Sequence, residues 1–306
     1  MGKTILFRIV GIIIPLFCWA LFLFKQFDKI RNYEWEISFF NLLISQLFAS
    51  IYFIFLAFNW ALILRFVSVG TSDNFMLINS MEAWLYTIMS RYIPGNVWHV
   101  IGRMAYANKI NAIKLQIISS SALEQIMAMI GATMLFALSL PFWPTDQLAE
   151  DWIFKISLFS ILFFLALVIS HPKFILPIVN WVGKRFNRPE IQWNFNYKMT
   201  ICFALLYLFA NLFMGLCLAV ILNGFGVAIS NNFVFILGIT AFSWIIGYLS
   251  FFTPSGIGIR EGALTALLSL IYPIPIAIVA SLVFRIICTV GELLAIVIFT
   301  AYMKIK

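Results

Sequence analysis

Six stretches of this chain, residues 5–24, 39–64, 117–140, 152–170, 199–222 and 276–302, are apolar over about the length that crosses a bilayer as α-helix. Hydrocarbon offers no partner to a peptide N–H or C=O, so a run of this kind must close its own backbone hydrogen bonds, and a helix does so within one segment. The chain is 63% hydrophobic and 10% charged, against about 25% charged in soluble domains. The expectation is an all-α polytopic integral membrane protein, one domain over residues 1–306, with about six full transmembrane helices. The first run lacks a small-residue cleavage site and exceeds a signal-peptide core, so it reads as a retained helix. Gly2 is no myristoylation site, because Leu6 stands where Ser or Thr is required.

Soluble chemistries find little support. Cys18, Cys202, Cys217 and Cys288 all fall in spans without a CxxC pair, and His99 and His171 are isolated, so no metal, disulfide or cofactor is expected. A net charge of +8 invites a nucleic-acid reading, but basic residues of membrane proteins collect in cytoplasmic loops. With the N-terminus inside, the inside segments hold thirteen basic residues: Lys3, Arg8, Arg65, Arg103, Lys109, Lys114, Lys173, Lys184, Arg185, Arg188, Lys198, Lys304 and Lys306. The outside loops hold four, Lys25, Lys29, Arg31 and Lys155. The bias places both termini in the cytoplasm, in a cell (cytoplasmic) membrane, with no nucleic-acid partner.

That threading requires two further apolar regions, near residues 75–108 and 232–271, to enter and leave on one side. Each is broken near its middle, by "RYIPGNVWHVIGR" and by "TPSGIGIREG". Proline pushes the preceding residue out of helical conformation and glycine tolerates the turn that follows. Two re-entrant broken-helix hairpins result; the alternative is a pair of proline-kinked spans, which would change the number of crossings. Irregular backbone at membrane depth persists only where protein or a wet cavity surrounds it, so the breaks mark a cavity wall. Both halves, about 39–140 and 199–303, read span, broken hairpin, span, the order of an inverted-topology repeat. Glu124 lies 30 residues after Pro94 and Arg285 lies 31 after Pro254, so opposite charges hold matching places.

Arg91, Arg103, Arg260 and Arg285, with Glu82, Glu124, Glu261 and Glu292, lie within or beside apolar segments. Each charge at a helix centre costs roughly 2.5–3.5 kcal/mol on insertion scales, so they are expected to pair. Arg285 and Glu292, seven residues apart, share a helical face with Ser281 and Thr289. Glu82 and Arg91 read as static pairing near the interface, where long side chains snorkel. Arg260, Glu261, Arg285 and Glu124 read instead as a substrate path, and arginine's planar fork suits phosphate. In "GIGIREG" the helix is expected to begin near Gly258 with free N–H groups, favouring an anion beside Arg260, with Glu261 holding Arg260. The same letters are no dinucleotide fingerprint, since no strand precedes them and the spacing is one too long.

The two break motifs, "SALEQ" around Glu124, "TPSGIGIREGALTALL" and the late Arg285 resemble the membrane domain of bacterial lysylphosphatidylglycerol synthases, a family with stand-alone flippase-like members. The resemblance covers nearly the whole chain. It implies a helical bundle that moves or handles lipid between leaflets, often as a homodimer, and points to Pro94, Gly95, Arg103, Glu124, Pro254, Gly256, Gly258, Arg260, Glu261, Gly262 and Arg285; Glu292 joins them from the polar stripe. One departure is that Glu124-Gln125 is followed by Ala128 where family members tend to carry an Asp. The expected function is a flippase or translocase acting on a phospholipid or polyprenyl-phosphate-linked lipid with an anionic headgroup, transporter-like rather than enzymatic. The alternatives are a membrane-embedded glycosyl- or headgroup transferase and a non-transporting scaffold for lipid synthesis. No aminoacyl-transfer segment follows Tyr302, so lysyl transfer is not expected of this chain.

Overall fold

The computed structural model describes residues 24, 26–68, 74–93, 97–143, 152–185, 196–250 and 253–305. The apolar run at residues 5–24 therefore lies, apart from Phe24, outside the described residues, as do Pro94 and Gly95. After the helical residues 26–31, eleven α-helices follow in order among the described residues: α1 (Phe39–Val67), α2 (Asn74–Ile88), α3 (Trp98–Ala105), α4 (Ala107–Ile110), α5 (Lys114–Ser139), α6 (Trp152–Ile169), α7 (Pro172–Arg185), α8 (Tyr197–Gly224), α9 (Phe233–Leu249), α10 (Ile259–Leu268) and α11 (Ile274–Ile305). No strand occurs among these residues.

Local chemistry sets the ends of the long helices. Ser38 caps α1 by accepting from the Asn41 amide, and Asn196 caps α8 by accepting from the Lys198 amide at 3.1 Å. Between its caps α1 runs 29 residues, about 43 Å at roughly 1.5 Å per residue, enough to cross hydrocarbon. Among the described residues, five helical stretches are long and apolar enough to span: Phe39–Val67, Lys114–Phe142, Tyr197–Gly224, Ser230–Leu249 and Ile274–Ile305. Four match expected spans. The run at 152–170 forms the 18-residue α6, of which Ile156–Ile169 registers as a shorter apolar helix.

Both interrupted regions fold back as hairpins. In the first, α2 is followed by a single 3₁₀ turn, Met89–Tyr92, and then α3. A Cβ on Gly102 of α3 would lie 2.9 Å from Thr87 Cγ2 of α2, so the arms lie side by side. In the second, α9 leads through the turn Pro254–Gly256 into α10. Gly256 takes φ +70°, and a Cβ there would sit 2.8 Å from Gly247 Cα of α9, so glycine is required both by the turn and by the close approach. The arms are unequal: with its leading turn the first reaches 20 residues, spanning length, whereas α10 has 10. The second hairpin thus has one arm of spanning length and one short arm, because its turn at Thr253–Gly258 comes late in the apolar run.

The helices pack around a central pair, α1 against α8. α2, α5 and α11 contact α1; α5, α9 and α11 contact α8; α5 packs on α9 and α11 on α10. The two hairpin turns touch each other. Small residues permit the close crossings: a Cβ on Gly131 of α5 would lie 2.6 Å from the Leu208 backbone nitrogen of α8. Trp60, Trp84, Tyr207, Phe53 and Phe235 are among the largest fully buried side chains.

Candidate functional site

Four arginines and three glutamates come together where the hairpins meet. Arg103 on α3 is 1% exposed and pairs with Glu124 on α5, which is 3% exposed. Glu124 also accepts from Trp84 Nε1 at 2.6 Å, and Arg103 Nη1 donates to Ser121 Oγ at 3.1 Å. The Arg103 guanidinium lies 4.6 Å from the Trp60 ring centroid and 5.5 Å from that of Trp84. Ion pair, hydrogen bonds and aromatic faces together replace the water this charge has lost.

A second pair lies behind the α9–α10 break. Glu261 Oε2 accepts from the Gly258 amide at 2.6 Å, closing a capping arrangement at the start of α10, while its Oε1 lies 3.3 Å from Arg285 Nε on α11. Arg285 also donates from Nη2 to the Ser255 carbonyl at 3.4 Å. The third pair joins the halves: Arg91, in the first hairpin turn, bonds Glu292 on α11, and the Tyr92 hydroxyl donates to the same carboxylate at 3.1 Å. Glu82 is held at the rim by Lys109 at 2.7 Å, with Lys109 half-exposed.

These contacts assign the partners that the sequence left open and correct the expected pairing of Arg260 with Glu261. Arg285 and Glu292 share α11 but bond different elements. Arg91 belongs to Glu292 and not to the rim with Glu82. Glu261 holds Arg285 and the Gly258 amide at the helix start rather than Arg260, so the expected Arg260–Glu261 pairing is not formed. Arg103, counted among the inside loop charges, is buried in protein; without it the inside count is twelve, thirteen less one, against four.

Arg260 is left over. It is 8% exposed, its Nη2 is buried, and among the described residues it makes no hydrogen bond or ion pair; its guanidinium lies 5.5 Å from the Phe284 ring centroid. It borders a cavity of about 390 Å³ lined by both hairpins and by α1, α5 and α8, with Arg91, Arg103, Glu124, Tyr207 and Trp244 among the wall residues. Of the charged residues singled out in the sequence, Arg91, Arg103, Glu124 and Arg260 line this cavity. Glu261, Arg285 and Glu292 buttress it through their pairs. Gly256 and Gly258, at φ +70° and +85°, shape the turn, and the Gly262 amide makes an early helical bond of α10 to the Gly258 carbonyl at 3.0 Å. Pro254 opens the turn. Sequence reasoning missed Trp60, Trp84 and Tyr207 as site residues, because nothing local distinguishes them from the other aromatic residues of the apolar runs. Among the described residues no group of His, Cys, Asp and Glu is placed to hold a metal.

A polytopic all-α bundle with two broken hairpins converging on a charged, aromatic-walled cavity defines a multi-pass membrane protein. The chain belongs to the family of the lysylphosphatidylglycerol synthase TM region, whose model matches residues 6–295. That membership associates it with membrane lipid handling. No curated protein and no solved structure matches it.

Proposed function

We propose that the protein is a lipid translocase that admits an anionic phospholipid or lipid-linked phosphate headgroup to the cavity between the hairpins while the acyl or prenyl chains stay in lipid. The observation that carries this reading is Arg260, a buried arginine with no counter-ion beside an open volume of about 390 Å³. An unpaired charge at membrane depth costs roughly 2.5–3.5 kcal/mol by insertion scales, and every other arginine of the cluster has a glutamate. A phosphate oxygen pair would satisfy its planar fork.

The packing supports movement between leaflets. In one half the second hairpin arm and the following long helix are joined by Arg103 and Glu124; in the other the corresponding elements are joined by Glu261 and Arg285, with polarity reversed. An inverted repeat of this form lets the two hairpins exchange access to a shared site.

The test is headgroup accessibility of labelled anionic lipid in proteoliposomes, without any activated donor. Arg260→Leu is expected to abolish movement yet leave thermal stability equal or higher, since it removes a buried charge that has no partner; Arg260→Lys should restore movement only in part. Native rates in Arg260→Leu would overturn the proposal, and a covalently altered lipid would make the protein a transferase.

A further inference from the structure

The wall beside Arg260 carries more than charge. Trp244 and Tyr248, one turn apart on α9, stack with ring centroids 5.2 Å apart and planes inclined by 14°. Both line the cavity. Gly247 lies between them in sequence, and a Cβ there would meet the Arg260 Cβ at 3.0 Å, so the stem of Arg260 packs on α9 at the position next to Tyr248. Besides Arg91, Arg103 and Glu124, whose charges are taken up in their own pairs, the polar wall offers His99, Gln125, Asn211 and the Tyr207 hydroxyl, which is buried with no hydrogen-bond partner.

Resting on the headgroup reading above, we infer that the site selects a phosphodiester bearing a neutral sugar or polyol, with the phosphate at Arg260 and the polyol against the Trp244–Tyr248 ledge. Charge excludes the other common substituents. Glu124, Glu261 and Glu292 each face an arginine already, so an ammonium group would meet aromatic faces but no free carboxylate, next to an uncancelled guanidinium. Aromatic rings alone would attract a cation; beside Arg260 that attraction is opposed by like-charge repulsion at short range. A polyol has no such conflict. Its C–H faces lie against the negative π-faces of the ring pair, and its hydroxyls both donate and accept, as Gln125 and Asn211 amides and the Tyr207 hydroxyl require. The size agrees, because about 390 Å³ falls at the small end of the roughly 300–1,000 Å³ typical of ligand pockets, which suits a headgroup without its chains.

Binding separates this inference from transport. Purified protein in neutral detergent is titrated calorimetrically with four short-chain probes: dioctanoyl phosphatidylinositol, dioctanoyl phosphatidylethanol, dioctanoyl phosphatidylcholine and lysylphosphatidylglycerol. The inositol lipid is expected to bind about three- to tenfold tighter than the ethanol lipid, through ring contacts. Both anions should bind about tenfold or more tighter than the zwitterion and the cation, because only the latter two bring an ammonium group beside the uncancelled Arg260. Arg260→Gln should erase the preference for anions. Trp244→Ala should erase only the preference for inositol over ethanol, and Trp244→Phe, which keeps a ring, should restore most of it. Equal affinity for the inositol and ethanol lipids in the native protein, or tightest binding of the lysyl lipid, overturns the inference. If the binding order holds while proteoliposomes move no lipid, the translocase reading fails and the site assignment stands.

Discussion

Arg103 and Glu124 provide the strictest test of how the cluster is held. Both are almost fully buried, and each supplies the other's counter-charge. Arg103→Met keeps most of the side-chain volume but strands a carboxylate at 3% exposure; breaking a buried pair from one side costs about 3–5 kcal/mol. The hydrogen bond to Ser121 Oγ and the stacking over Trp60 are lost too, so the upper part of that range is expected. Glu124→Gln keeps an acceptor for Trp84 Nε1 but strands the guanidinium, at a similar cost. The double change Arg103→Met with Glu124→Gln removes both charges and should cost about 1 kcal/mol or less, since buried pairs replaced by neutral groups of like volume are often neutral in stability. Equilibrium unfolding in mixed dodecyl maltoside and dodecyl sulfate micelles, followed by helical circular dichroism, measures all three against the native protein. Single changes costing under about 1 kcal/mol, or a double change equal to the sum of the singles, would refute the claim that these two charges compensate one another.

Gly256→Ala places a side chain at φ +70° and against Gly247, and should lower stability by about 1–3 kcal/mol in the same unfolding assay. Glu261→Gln should destabilise by about 1–3 kcal/mol, because it leaves Arg285 without its carboxylate and weakens the cap on Gly258, whereas Arg260→Leu should not destabilise; the opposite order would show that Arg260, not Arg285, depends on Glu261. For orientation, single cysteines replacing Ala149 and Asn223 in a cysteine-free background should react with an impermeant thiol reagent from outside and one replacing Gly183 should not. Outside labelling at Gly183 would reverse the charge-based topology.

The membrane class, four of the long helices and both hairpin breaks were legible in the sequence because each rests on local physics. Twenty apolar residues in hydrocarbon have few alternatives to helix, and the Thr253-Pro254-Ser255-Gly256 step interrupts a helix whatever surrounds it. The charged residues of the cluster were likewise visible, since a charge inside an apolar run stands out against its neighbours. What the same reading could not supply was their pairing. Arg285 and Glu292 share a face of α11, but the carboxylate beside Arg285 comes from α10 and the arginine beside Glu292 from the first hairpin turn, 201 residues away in sequence. Glu261, next to Arg260 in the chain, turns back to the Gly258 amide, so adjacency gave the wrong partner.

Only the tertiary structure decided that Arg260 is the one arginine of the cluster without a glutamate, and that an aromatic ledge lies beside it. With 33 Phe, 10 Trp and 10 Tyr in the chain, an aromatic residue at a given position carries almost no information about whether it faces lipid or a cavity. Hydropathy and helix-breaking residues act over a few neighbours and can be read along the chain; charge compensation acts over a few ångströms in space, and which groups come within that distance depends on how the hairpins cross α5, α8 and α11.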